Sequence, residues 1–143
     1  MNDKLKKLYK TVILKHNNLP FHYEKKEGAA HHLDAYNPLC GDRFNLYVEV
    51  KEGVIESVYF HGYGCAISKA STSVLAKNLE GKTVTEALAI CETFEGVVSP
   101  DSDAEIENEE LEAFAAAKDF PGRLQCATLS WEAMKAFLST AKS

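Results

Sequence analysis

The sequence lacks any long uninterrupted run of apolar residues, so it contains no candidate membrane-spanning segment. Its first fourteen residues carry lysines among the apolar positions and do not form the continuous apolar core of a secretory signal peptide. We therefore expect a cytoplasmic protein that does not associate with membranes. Cysteines in that compartment stay reduced and serve metals or catalysis more often than disulfides.

An excess of positive charge is also missing. The net charge is −5 and the pI is about 5.5, and no basic stripe of the kind that binds nucleic acid or a membrane surface is present. Internal repeats and low-complexity segments are absent too. A chain of 143 residues can bury a core without covalent crosslinks, and we expect a single domain over residues 1–143.

The hydrophobic pattern predicts an α+β fold. A helical period covers residues 5–13, and an alternating pattern over residues 44–51 and 54–61 predicts a β-hairpin around Glu52-Gly53. Further helices are predicted over residues 66–79, after a capping box of Thr83 and Glu86, after Asn108 as a cap, and from Pro121. The last helix should bury a stripe formed by Leu124, Ala127, Trp131, Met134 and Leu138. Residues 20–39 show no period, and we predict no regular structure there. The sum is a small antiparallel sheet with helices packed on one face.

Cysteine is scarce, with four residues in the chain. Two disulfides are one alternative for them, although the expected compartment argues against it. Cys91 falls on the apolar stripe of a predicted helix, and we interpret it as a small core residue. The other three, Cys40, Cys65 and Cys126, lie beside turn or helix-start signals.

The most informative stretch is residues 37–43, which reads Asn-Pro-Leu-Cys-Gly-Asp-Arg. Side chains i and i+2 of an extended segment point to the same side, so Cys40 and Asp42 can converge on one point. Cys65 follows the expected change from strand to helix, and Cys126 lies in the first turns of the last helix. Three thiolates and one carboxylate make a complete tetrahedral zinc shell. His31 and His32 lie nearby but are weaker candidates for ligands.

Such a shell would leave a formal charge of about −2 on the site. Arg43 and Arg123 are the nearest candidates to balance it, with an ordinary surface ion pair as the alternative for each. The spacing itself matches no zinc finger, since 24 residues separate Cys40 from Cys65 and 60 separate Cys65 from Cys126. Residues and spacing alone therefore indicate reactive thiols and a metal site, and no particular reaction.

Three blocks together are more specific. Residues 37–43, residues 62–71 (Gly-Tyr-Gly-Cys-Ala-Ile-Ser-Lys-Ala-Ser) and residues 121–131 (Pro-Gly-Arg-Leu-Gln-Cys-Ala-Thr-Leu-Ser-Trp) resemble the IscU/NifU N-terminal superfamily of iron–sulfur assembly proteins, and within it the SufU type. The resemblance covers nearly the whole chain. It implies Zn2+ bound by Cys40, Asp42, Cys65 and Cys126, with Cys40 as the residue that accepts sulfur.

The resemblance also implies a function. A cysteine desulfurase of the SufS kind, which uses pyridoxal phosphate, would supply persulfide sulfur, and a downstream iron–sulfur assembly scaffold would receive it. The chain would then be a zinc-dependent sulfurtransferase. Three readings remain open: a scaffold that holds an iron–sulfur cluster, a closed structural zinc, and a non-enzymatic zinc-stabilised interaction domain.

Two features separate the chain from the scaffold branch. Gln125 stands where that branch has a histidine before its third cysteine, and the branch's Leu-Pro-Pro-Val run is missing. The long acidic stretch over residues 97–118 resembles part of the insertion of the SufU type. Gln125 and the missing Leu-Pro-Pro-Val run both weaken the scaffold interpretation.

Overall fold

A computed structural model describes residues 3–38, 41–98, 108–115 and 121–141, without the side chains of residues 3–5, 121–123 and 141. These ranges contain, in order, helix α1 (Asp3–Asn18), strands β1 (His31–Tyr36), β2 (Arg43–Lys51) and β3 (Val54–Tyr63), and helices α2 (Ala66–Leu79), α3 (Val84–Val98), α4 (Glu109–Ala113) and α5 (Pro121–Ala141). The strands form one antiparallel sheet in the order β1-β2-β3. Helix α2 packs on β3 and α5 packs on β1, which confirms the predicted fold class.

Strand β1 corrects the sequence prediction, because residues 20–39 were expected to hold no regular structure. The strand pairs with β2 in a register that sets Leu33 opposite Leu46 and Ala35 opposite Phe44. It lies at the edge of the sheet, so only one neighbour supplies its backbone hydrogen bonds and its side chains are mostly part-exposed. A strand with so little burial leaves a weak period in the sequence, and tertiary pairing decides its conformation.

The segment before β1 covers the other edge of the sheet. The Phe60 N–H donates to the His22 carbonyl at 3.1 Å, and the Glu24 N–H donates to the Phe60 carbonyl at 2.9 Å. Farther along the same strand, the Ile55 N–H donates to the Lys82 carbonyl at 2.8 Å. The edge of β3 is therefore paired near both of its ends, which protects it from pairing with another chain.

The core fills the space between the inner face of the sheet and the helices. Phe44, Leu46 and Val48 alternate along β2 and are completely buried, as the strand pattern predicts. The inner stripe predicted for α5 is confirmed at four fully packed positions and is part-buried at Leu124. The four packed side chains are Ala127, Trp131, Met134 and Leu138.

Nine of the fourteen residues of α2 are buried, and two of its hydroxyl groups bond to α5. Ser71 Oγ donates to the Ala127 carbonyl at 2.5 Å and accepts the Trp131 indole N–H at 3.0 Å. Thr72 Oγ1 and Ser130 Oγ lie 2.7 Å apart. Because these bonds are buried and directional, they determine how the two helices lie against each other.

The predicted helix caps are confirmed. Thr83 and Glu86 form a reciprocal capping box before α3, with bonds of 3.0 and 3.1 Å. Asn108 caps α4 through its side-chain oxygen, which accepts the N–H groups of Glu110 and Leu111. Local sequence therefore specified where these two helices begin.

Buried His16 joins three helices. Its Nδ1 lies 2.7 Å from Ser73 Oγ on α2, and its Nε2 contacts the Glu110 carboxylate on α4. The hydrogen bond from His16, followed by that from Lys77, lowers the pKa of Glu110 to about 2 although burial opposes this. Helix α4, which lies in the acidic stretch, is thus attached to α1 and α2.

Gly62 permits the close approach of β3 to β2 just before the chain enters α2. A Cβ at this position would lie 2.2 Å from the Arg43 carbonyl oxygen and 2.8 Å from the Phe44 Cα. Its φ of +152° is also a value that other residues rarely adopt. Any larger residue here would force the backbones of β2 and β3 to shift apart.

We predict that Gly62→Ala lowers the free energy of unfolding by about 2 kcal/mol or more, because backbone overlap and strain add together. The matched control is Gly96→Ala in α3, where a Cβ meets nothing within 4 Å. That change should stabilise the protein by about 0.5 kcal/mol through helix propensity. Urea unfolding followed by circular dichroism measures both, and equal stability of Gly62→Ala and the parent would contradict the packing argument.

Candidate metal centre

Cys65 is held at the junction between sheet and helix. It is the N-cap of α2, with φ −70° and ψ 167°, and its Sγ accepts the Ser68 N–H at 3.5 Å. The preceding Gly64 leaves no room for a side chain, since a Cβ there would lie 2.5 Å from Ser68 Oγ and 2.8 Å from the Phe44 ring. The predicted place of Cys65 at the start of a helix is confirmed.

Asp42 directly precedes β2 at the connection from β1. The Asn37 N–H donates to the Asp42 carbonyl at 2.9 Å, and the Gly41 N–H donates to the Asn37 carbonyl at 2.8 Å. The Asp42 side chain is buried and accepts a hydrogen bond of 3.0 Å from Ser68 Oγ at its Oδ2. A buried carboxylate needs such partners, because its desolvation is costly without them.

Cys126 lies in the second turn of α5 and is buried. The packing of α2 against α5 carries it to the other two groups. The ligand atoms of Asp42, Cys65 and Cys126 all lie within 4.8 Å of one another. Cys65 is the most exposed of the three, so solvent reaches the group from its side.

The group suits a divalent metal ion. Two sulfurs and one carboxylate oxygen are a usual donor set for zinc, and ligand atoms of a tetrahedral zinc lie about 3.5–4 Å apart. The observed limit of 4.8 Å is therefore close to the spacing needed. Among the described residues, no histidine joins this group. His32 instead bonds Asn45 at 2.7 Å, and the His31 ring lies against Phe137.

The remaining predicted site residues have different outcomes. Cys40 lies outside the described residues, so its place as fourth ligand stays a prediction. Arg43 forms an ion pair with Asp34, with 3.2 Å from Nε to Oδ1, and its guanidinium lies over the Tyr36 ring. These are contacts of an ordinary surface ion pair, which contributes little. Arg123 belongs to α5, but its side chain is not among those described.

The structure also bears on the disulfide alternative. Among the three cysteines in the described ranges, Cys65, Cys91 and Cys126, no two are joined by a disulfide. Two disulfides among four cysteines would require at least one bond within any three of them. The alternative with two disulfides is therefore excluded.

Ser68 is the residue that the sequence analysis missed. It is buried, its hydroxyl bonds Asp42 and its N–H bonds Cys65. A hydroxyl three residues after a helix-capping cysteine is the one signal that the sequence contains for it. That signal is weak, because serine is common in the first turn of helices.

The fold and the site together define a class of α+β protein. Helices cover one face of a three-stranded antiparallel sheet, and an aspartate and two cysteines meet at the start of α2. The chain belongs to the NifU-like N-terminal domain family, which matches residues 8–136. Within the described ranges, no helix has both the length and the apolar character to cross a membrane.

Two similar proteins carry names that describe different functions. The chain is 38% identical over 134 residues to the iron–sulfur cluster assembly scaffold protein IscU of Streptococcus pyogenes serotype M1, covering 93% of this chain and 84% of that one. It is 33% identical over 138 residues to the zinc-dependent sulfurtransferase SufU of Bacillus subtilis strain 168, covering 94% and 91%.

A solved structure has the same fold. The crystal structure of a Fervidobacterium islandicum AW-1 protein (FiSufU), described as an iron–sulfur cluster assembly scaffold protein for the SUF system, superposes with a TM-score of 0.81 at 31% identity. The match covers 91% of this chain and 96% of that one. The fold expected from the resemblance in sequence is therefore the fold of the family.

We predict that Cys91 resists alkylation while the protein is folded. Burial raises the pKa of its thiol to about 12, so the reactive thiolate is scarce at pH 8. Iodoacetamide should modify Cys65 in the metal-free protein well before Cys91, as followed by peptide mass mapping. Unfolding in urea is the control and should make the two sites equally reactive. Similar rates in the folded protein would contradict the assignment of Cys91 to the core.

Proposed function

We propose that the chain is a zinc-dependent sulfur acceptor that takes persulfide sulfur from a pyridoxal-phosphate-dependent cysteine desulfurase for iron–sulfur cluster assembly in the cytoplasm. The observation that carries the proposal is the convergence of Asp42, Cys65 and Cys126 within 4.8 Å. Zinc would be bound by these three and by Cys40. Backbone geometry supports the fourth ligand, since the Cα atoms of residues 40 and 42 must lie within about 7 Å of each other.

The proposed reaction is a transfer between thiols. The Cys40 thiolate attacks the outer sulfur of the partner's persulfide, the partner's S–S bond breaks, and the partner's thiolate leaves. Cys40 then carries the persulfide, and no net oxidation occurs. Bound zinc would keep the site's thiols deprotonated at neutral pH. Because four ligands would close a zinc shell, Cys40 would attack only when it is not bound to the ion.

The anchoring of the other ligands supports the choice of Cys40. Cys65 caps α2 and accepts the Ser68 N–H, and Cys126 is buried within α5. Moving either sulfur would disturb a helix that belongs to the core. In the sequence, Cys40 falls between β1 and β2, and connections between strands commonly carry functional groups.

Two further features favour the sulfurtransferase. The relative from Bacillus subtilis bears the name of a zinc-dependent sulfurtransferase and aligns over 94% of this chain. Gln125, which stands in place of the scaffold branch's histidine, is exposed. An amide is a poor ligand for iron or zinc compared with imidazole.

A scaffold is the second candidate, and the name of the Streptococcus pyogenes relative favours it. The same thiolates could hold iron and sulfide, as clusters in proteins usually are held. Anaerobic reconstitution with iron and sulfide separates the two functions. A stable cluster that displaces zinc supports the scaffold, whereas retention of zinc with no stable cluster supports the acceptor.

We predict that the purified chain binds about one zinc and that Cys65→Ala and Cys126→Ala each lose most of it, because each removes one of four ligands. Metal analysis by mass spectrometry after dialysis measures the content. Cys91→Ala is the matched control, since it removes a buried thiol away from the site, and it should keep the metal. Equal zinc in all variants would contradict the proposed shell.

We predict that Cys40→Ala abolishes sulfur acceptance. The parent and Cys91→Ala should each gain the mass of one sulfur atom on incubation with a desulfurase and cysteine, and should raise the desulfurase's turnover. Mass spectrometry locates the added sulfur, and alanine production reports the turnover. If Cys40→Ala accepted sulfur as well as the parent, another cysteine would be the acceptor. Binding of the desulfurase by the parent with unchanged turnover would instead indicate a non-enzymatic interaction domain.

A further inference from the structure

We propose that Ser68 is a positioning residue of the metal centre, whose hydroxyl orients the Asp42 carboxylate toward the ion. The inference rests on the proposed function, because it assumes that Asp42 is a ligand. Ser68 Oγ donates to Asp42 Oδ2 at 3.0 Å. The Ser68 side chain is enclosed, with 1% exposure, and Asp42 is 6% exposed, so solvent offers little competition for this bond.

The hydroxyl has a choice of acceptors. Asp42 Oδ2 lies 3.0 Å from Ser68 Oγ, the Cys65 carbonyl oxygen lies at 3.1 Å and the Cys65 sulfur lies at 3.6 Å. A hydroxyl has one proton, and an ionised carboxylate at 3.0 Å is a stronger acceptor than a neutral carbonyl or a sulfur at 3.6 Å. The Ser68 hydroxyl therefore donates its proton to Asp42 Oδ2.

Ser68 is itself held rigidly. It lies in the first turn of α2, and its N–H donates to Cys65 Sγ at 3.5 Å. The missing side chain at Gly64 makes room for the hydroxyl, since a Cβ there would lie 2.5 Å from Ser68 Oγ. One residue thus contacts two predicted ligands from a fixed helix end.

The bond has a direct consequence for coordination. With Oδ2 bound by Ser68, rotation of the carboxylate is restricted, and Oδ1 is left for the ion. Without the hydroxyl, the Asp42 side chain could rotate, and the ion would have to order it on binding. Loss of such an outer partner of a metal ligand usually weakens metal affinity about 10- to 100-fold.

The test compares two buried serines on α2. Ser68→Ala should weaken zinc binding about 10- to 100-fold in competition with a chromophoric chelator. Ser73→Ala is the control, since Ser73 is fully buried but bonds His16 and the Phe21 N–H away from the site. It should leave zinc affinity unchanged. Alanine favours helix more than serine does, so α2 should persist in both variants, as circular dichroism checks.

A double-mutant cycle separates positioning from a general effect on structure. If Ser68 acts through Asp42, Ser68→Ala should cause no further loss of zinc affinity in an Asp42→Ala background. The absorption spectrum of the cobalt-substituted protein should also change in Ser68→Ala and stay that of the parent in Ser73→Ala.

The outcomes are distinguishable. Suppose that the parent binds zinc. Unchanged zinc affinity in Ser68→Ala, or an equal loss of affinity in both serine variants, would then overturn this inference and leave the proposed function standing. An additive loss in the Asp42→Ala background also overturns it, because Ser68 would then act independently of the carboxylate. A parent that binds no zinc overturns the proposed function and the inference together.

Discussion

The packing of α2 against α5 is the contact on which the site depends. Buried hydroxyls join the helices, since Ser71 bonds both the Ala127 carbonyl and the Trp131 indole. Leaving one such buried group without its partner would cost about 1–3 kcal/mol, so sliding of one helix along the other is disfavoured. The separation between Cys65 and Cys126 follows from this register. A purely apolar interface would allow a wider range of separations between Cys65 and Cys126, because hydrophobic contact has no direction.

The described groups of the centre come from rigid parts of the fold. Cys65, Asp42 and Cys126 come from a helix cap, the start of a strand and the interior of a helix, and each position is supported by backbone bonds or burial. The fourth predicted ligand, Cys40, comes from the connection between two strands. The three described groups are therefore held in place before any ion binds. That arrangement is compatible with a sulfur acceptor and with a scaffold, which accords with the two kinds of name among the relatives.

The acidic stretch contributes to the fold as well as to the charge. Leu111 of α4 and its C-cap residue Phe114 are buried, and Glu110 contacts His16 of α1 and Lys77 of α2. With a pKa of about 2, the Glu110 carboxylate stays ionised throughout the physiological range. Part of the acidic stretch is therefore packed against α1 and α2 in the helical layer.

Local order was readable from the sequence, because its causes lie within a few residues of one another. The capping box of Thr83 and Glu86, the Asn108 cap and the alternating pattern of β2 each predict their element directly. Strand β1 was not readable, because its backbone bonds and its burial come from β2 and α5. The sequence could name Asp42, Cys65 and Cys126 as candidates by residue type and resemblance. Only tertiary packing decided that they meet and that Ser68 lies between two of them, because distances between remote segments depend on the whole core.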